Sequence, residues 1–132
     1  MNEDTRTSEQ ISAFLKFLER IEKDYAWALQ EESKAESQTQ DHLHQLELLE
    51  FSHHEQAKIA KQLKECRIRR RSMKDTILVC TPIVEFLGRE KGKMLISQLQ
   101  QVLGKVRKEE RHLEERTYTP KVLSKEDFLA VH

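Results

Sequence analysis

Glycine and proline are nearly absent, with three and two in 132 residues. So few turn formers exclude a collagen-like or linker-like chain and argue against a sandwich of many short strands. Aromatic residues make up 6% and hydrophobic residues 37%. That is thin for a compact globule but enough for long helices, which bury only one stripe. No segment reaches the ~18 consecutive apolar residues of a membrane span. The polar, acidic start from Met1 to Thr5 does not resemble a signal peptide. Excess charge of either sign is missing too: 23 basic residues balance 23 acidic ones, so no global field draws the chain to nucleic acid or membrane. Two cysteines remain, Cys66 and Cys80. On one helix they lie ~21 Å apart, beyond disulfide reach, which suits reduced thiols in a cytoplasmic setting. A Gly-rich phosphate loop, a G-x-S-x-G elbow, a CxxC pair and an HExxH pair are all lacking. The reading is therefore non-enzymatic, with no cofactor and no metal.

What the chain does have is charge, at 35% of residues, laid over an apolar rhythm of threes and fours. Residues 1–7 read as a frayed, disordered start, and Ser8 reads as an N-cap. From there Ile11, Phe14, Leu18, Ile21, Tyr25, Ala28, Glu32, Ala35, Thr39, His42, Leu46 and Leu49 keep one phase, the mark of a coiled-coil seam. One helix over about 9–50, roughly 60 Å long, is predicted. Ser52 followed by Glu55 forms a capping box, the hydroxyl serving a first-turn amide and the carboxylate reaching back to the cap's amide. A second helix over about 53–87 follows, with its seam at Ile59, Leu63, Cys66, Arg70, Met73, Ile77, Cys80, Val84 and Leu87. Pro82 interrupts it, predicting a kink or a break with Thr81 as a new N-cap; the unbroken seam phase favours the kink. Gly88 and Gly92, flanking Arg89 to Lys91, form the strongest helix stop. A third helix over about 93–116 presents Leu95, Leu99, Val102, Val106, Glu109 and Leu113, widened by Ile96 and Leu103. Gly104 weakens it by ~1 kcal/mol. Residues 117–132 form an extended tail with a short helical turn, and Tyr118, Val122, Leu123, Phe128 and Leu129 are its candidate partner-binding residues.

The fold class expected is thus all-α: a long antiparallel helical hairpin with a third packing helix and an extended C-terminal tail, one domain over 8–116. If the first two helices fold back at residue 51, facing residues sum to about 102. Leu43 then faces Ile59, Thr39 faces Leu63, Tyr25 faces Ile77 and Leu18 faces Val84. The one charged seam residue of each helix, Glu32 and Arg70, obeys the same sum. Either they pair and fix register, since slippage would strand both charges, or both are merely solvated. The third helix is expected over the half of the hairpin near Phe14, Leu18, Val84 and Leu87. The other half is a two-helix arm that buries too little to stand alone, which points to a homodimer or to an unknown protein partner.

Lys61, Lys64, Arg67, Arg69, Arg70, Arg71 and Lys74 cluster on the second helix. Lys64, Arg67, Arg71 and Lys74 follow helical spacing on one stripe, which can track phosphates. Against this stands an ordinary solvated face with Glu65 and Asp75 as local partners, in a segment with no aromatic residue to stack on bases. His42 and His44, two apart, and His53 and His54, adjacent, lack the spacing of a helical metal site. Trp27 either meets the third helix or is exposed as a partner anchor.

The run from Lys61 to Asp75, with arginine at positions 69 to 71, the run from Pro82 to Leu87, and Arg116 to Pro120 together resemble small helical proteins encoded in phages and prophages of Gram-positive bacteria. The similarity spans roughly residues 20–123. It implies a cytoplasmic accessory protein of a mobile element and assigns no functional residues. The function expected is a self-associating protein–protein interaction module. Two alternatives stand beside it: a nucleic-acid-binding accessory using Lys61, Lys64, Arg67, Arg71 and Lys74, and a binder of a small anionic ligand at a dimer interface.

Overall fold

The computed structural model describes residues 6–116 and 122–129. Four helices follow one another: α1 (Thr7–Leu48), α2 (His53–Gly88), α3 (Glu90–Glu115) and a short α4 (Lys125–Leu129), with no strand among the described residues. α1 and α2 pack along their length as an antiparallel hairpin closed by residues 49–52. Tyr118 and residues 1–5 lie outside the described residues.

Local chemistry sets the ends. α1 begins earlier than Ser8, so neither a frayed Thr7 nor Ser8 as N-cap holds. Arg6 is the N-cap, with no side-chain cap bond. Ser8 is instead buried in the first turn, and its free amide donates to Oε2 of Glu110 on α3 at 3.2 Å. A contact from another helix thus satisfies a donor that a cap residue would ordinarily serve. α2 begins where the capping box predicts. The Glu55 amide donates to the Ser52 hydroxyl oxygen at 3.2 Å, but the Glu55 carboxylate accepts from that hydroxyl at 3.0 Å rather than from the cap's amide. Pro82 lies inside continuous helix, so Thr81 is not a new N-cap. Its hydroxyl donates to the Ile77 carbonyl at 2.5 Å, one turn back along the helix.

The predicted stop at Gly88 to Gly92 is only half right. α2 ends at Gly88, yet a single extended residue, Arg89, caps both helices, and α3 starts at Glu90 rather than at 93. No glycine takes a positive φ, so Gly92 is not a left-handed cap. It is needed for space: a Cβ there would stand 2.0 Å from the Phe86 carbonyl oxygen.

All nine predicted seam positions of α2 are buried or half-buried. α1 keeps its seam phase with exceptions at its ends. Phe14 is exposed while Leu15 is half-buried in its place, and Leu46 and Leu49 are exposed. Ala28 and Ala35 are completely buried, and such small residues let the two backbones approach closely. Thr39, buried beside them, donates its hydroxyl to the Ala35 carbonyl at 2.8 Å, so no polar group is stranded there.

α3 departs most from expectation. Its buried or half-buried positions are Gly92, Ile96, Leu99, Leu103, Val106 and Glu110. Leu95, Val102, Glu109 and Leu113, placed in the seam by sequence, are exposed. Nor does α3 cover half of the hairpin. Gly92 abuts Phe86, whereas Glu110, ~27 Å further along the helix, meets Ser8, and Arg6 pairs with Glu114 at 2.5 Å. Ser8 is only ~10 Å along α1 from Leu15, the residue level with Leu87. α3 therefore lies steeply across the open end of the hairpin and leaves the rest as two helices. That rest includes Trp27, which α3 does not reach and which is 54% exposed.

Candidate interaction surfaces

At mid-hairpin the expected pair is present. Arg70 Nε donates to Glu32 Oε1 at 3.2 Å, and the register near a sum of 102 is thereby fixed. Sequence reasoning missed the third member. Glu36 Oε2 approaches the same nitrogen to 2.5 Å without a hydrogen bond of its own, because the single Nε–H is already directed at Glu32. Its spacing of four from Glu32 was the available signal, since that places both carboxylates over one turn. On the opposite flank of the seam, Gln38 Oε1 accepts from Arg69 Nη1 at 3.2 Å and lies 3.8 Å from the Cys66 thiol. Cys66 and Cys80 are both buried and unbridged.

The basic stripe is real as a surface. Lys61, Lys64, Arg67, Arg71 and Lys74 are all exposed. Lys64, Arg67 and Arg71 line one depression of about 570 Å³ together with Ala60, Leu63 and Ile68, among others. Arg67, Arg71 and Lys74, with Arg70, line a second of about 450 Å³ in the groove between α1 and α2, facing Glu36. Lys61 lines neither. The expected local partners Glu65 and Asp75 make no ion pair with these cations among the described residues; Asp75 only borders the first depression.

Apolar side chains outside the seams form the larger surprise. On α2, Ile68, Leu78 and Val79 are 59%, 70% and 71% exposed. At the open end, Phe14 and Phe17 are both exposed and stack with centroids 6.4 Å apart. The Arg20 guanidinium lies 5.7 Å from the Phe17 ring centroid, a polar rim on an apolar pair. One flank of the α1–α3 contact is polar, a depression lined by Arg6, Ser8, Ser12, Lys16, Arg107 and Arg111, among others. There Glu110 has its carboxyl held below the ordinary range, first by hydrogen bonding to Ser8, then by the charges of Arg6 and Arg107.

Of the tail residues, Val122, Leu123 and Leu129 are exposed, so the structure does not gather them into a site with α2. The side chain of Phe128 lies outside the described residues. His42 Nδ1 lies 2.8 Å from Gln45 Oε1. Among the described residues no group of three His, Cys, Asp or Glu is arranged to hold a metal ion, and no helix is long and apolar enough to cross a membrane. Comparisons of the chain with protein-family models, with curated proteins and with solved structures found no match.

Proposed function

We propose that this chain is a non-catalytic helical interaction module that self-associates and presents its long hairpin to a protein partner. A cytoplasmic accessory role in a mobile element, as the sequence resemblance implies, belongs to the same proposal. One observation carries it: among the described residues no large side chain is completely buried, while aromatic and aliphatic side chains are exposed on all three long helices. A two-helix arm closed by alanines and thiols buries too little apolar surface to stand securely alone, and exposed apolar patches bordered by charge mark surfaces of association. Light scattering on the purified chain tests this. The expected result is a species near twice 15.7 kDa. A 15.7 kDa species at every concentration would reject self-association.

A second reading rests on a separate observation: Lys64, Arg67 and Arg71 share one depression with Asp75 at its border, and among the described residues no carboxylate forms an ion pair with them. Three such cations are a foothold for nucleic-acid phosphates. Titration with duplex and single-stranded oligonucleotides at two salt concentrations separates the readings. Binding that falls steeply with salt and disappears in Arg67→Ala/Arg71→Ala supports nucleic acid; no binding at low salt excludes it.

A further inference from the structure

We infer that the C-terminal segment 122–129 of one copy of this chain docks on the basic depression of α2 in a second copy, and that the exchange is reciprocal. The inference deepens the self-association proposed above and rests on it.

The depression belongs to α2 alone. Ala60, Lys64, Arg67, Ile68 and Arg71 line it and are all exposed, with Leu63 of the seam half-buried beside them. Three cations stand there against one carboxylate, Asp75, and Ile68 is 59% exposed among them. An occupant that satisfies this surface brings negative charge and aliphatic side chains together. A phosphate backbone brings only the first. A second α2 brings neither: antiparallel pairing of this face about residues 67 and 68 sets Lys64 opposite Arg71 of the other copy, and like charges repel.

The tail carries both. Within residues 122–129, Glu126 and Asp127 are adjacent and exposed, and so are Val122, Leu123 and Leu129. Lys125 is the one cation in that segment. Among the described residues α4 packs on none of the other helices. Its start is held locally, the Asp127 amide donating to the Ser124 hydroxyl oxygen at 3.2 Å, as at a helix cap. A helix this short is marginal in water without a surface to lie on.

Chain length selects the second copy. Glu114 pairs with Arg6, so α3 ends at the start of α1. Arg67, in the middle of the depression, is level with Ala35 in the register that Arg70 and Glu32 fix, ~40 Å along α1 from Ser8. Residues 116–124 span at most ~30 Å when fully extended, so α4 stops short of the depression on its own hairpin. In a two-fold pair each tail crosses to the other hairpin instead. The second contact becomes intramolecular once the first is made, which strengthens a pair of small contacts.

Sedimentation velocity on four full-length proteins tests the inference: the unmodified chain, Arg67→Glu/Arg71→Glu, Glu126→Arg/Asp127→Arg, and all four substitutions combined. The unmodified chain should dimerise, either charge reversal should weaken the dimer by about tenfold or more, and the combination should recover it. Far-ultraviolet circular dichroism checks that each variant is folded; should the α2 variant lose helicity, Lys64→Glu/Arg71→Glu takes the place of its α2 half. Reversals that leave the dimer unchanged overturn this docking while leaving self-association intact, and so do losses that the combination does not recover. An α2 variant that loses oligonucleotide binding but still dimerises assigns the depression to nucleic acid and overturns the docking likewise. An unmodified chain that is monomeric at every concentration overturns both.

Discussion

Arg70 carries more of the architecture than any other polar residue, because one guanidinium serves two carboxylates from the facing helix. Its side chain is 36% exposed, and that of Glu32 is 23%, so the cluster is neither fully desolvated nor freely solvated. Arg70→Ala leaves Glu32 and the partly enclosed Glu36 repelling one another, and should lower stability by ~1–2 kcal/mol in a urea melt, between the values for exposed and buried pairs. Replacing Glu32, Glu36 and Arg70 together by leucine should restore that loss while allowing the helices to slip. Glu110 makes a prediction of opposite use. Its folded-state value is depressed below the ordinary 4.5, so its contribution is present above that value and is lost as pH falls through the lower, folded-state one. The melting temperature should therefore fall on acidification below about pH 4.5 more for the unmodified chain than for Glu110→Gln, the two converging at low pH.

Among elements, α2 was the most legible and α3 the least, for a physical reason. Apart from half-buried Ile83, the large apolar residues of α2 beyond the seam, Ile68, Leu78, Val79 and Phe86, are exposed, so nine positions define a single face, and the capping box at Ser52 and Glu55 marks its start by local hydrogen bonding alone. On α3 the buried stripe and the one predicted from sequence share Leu99 and Val106, and periodicity cannot choose between them. The choice is made by the one-residue joint at Arg89 and by the close approach at Gly92, both tertiary features. The candidate site divides in the same way. The Glu32–Arg70 pair and the basic stripe follow from spacing, whereas Phe14 in the open and Glu36 as a third partner depend on which neighbour arrives. The two glycines of α3 separate these influences. Gly92→Ala must displace the Phe86 carbonyl and should destabilise by ~3 kcal/mol or more, in the range of overpacked sites. Gly104→Ala meets nothing within 4 Å and should stabilise by ~1 kcal/mol through helix propensity alone. Thermal melts of both variants check the pair.

As a whole molecule, the protein is a long rod closed at one end by a crossing helix. It has a thin interior of small residues and many exposed apolar side chains. Such a body offers length and surface rather than an enclosed site, and the proposed function follows from that proportion. Everything depends on the chain folding back near residue 51 with facing residues summing to about 102. Spin labels at Lys16 and Glu85, in a background with Cys66 and Cys80 replaced by alanine and diluted with unlabelled chain, measure this directly by electron–electron resonance. The hairpin predicts a separation within roughly 25 Å, set by neighbouring helix axes 8–10 Å apart plus the labels. A separation near 100 Å, the span of α1 and α2 laid end to end at 1.5 Å per residue, or a short distance that vanishes on dilution, would contradict it.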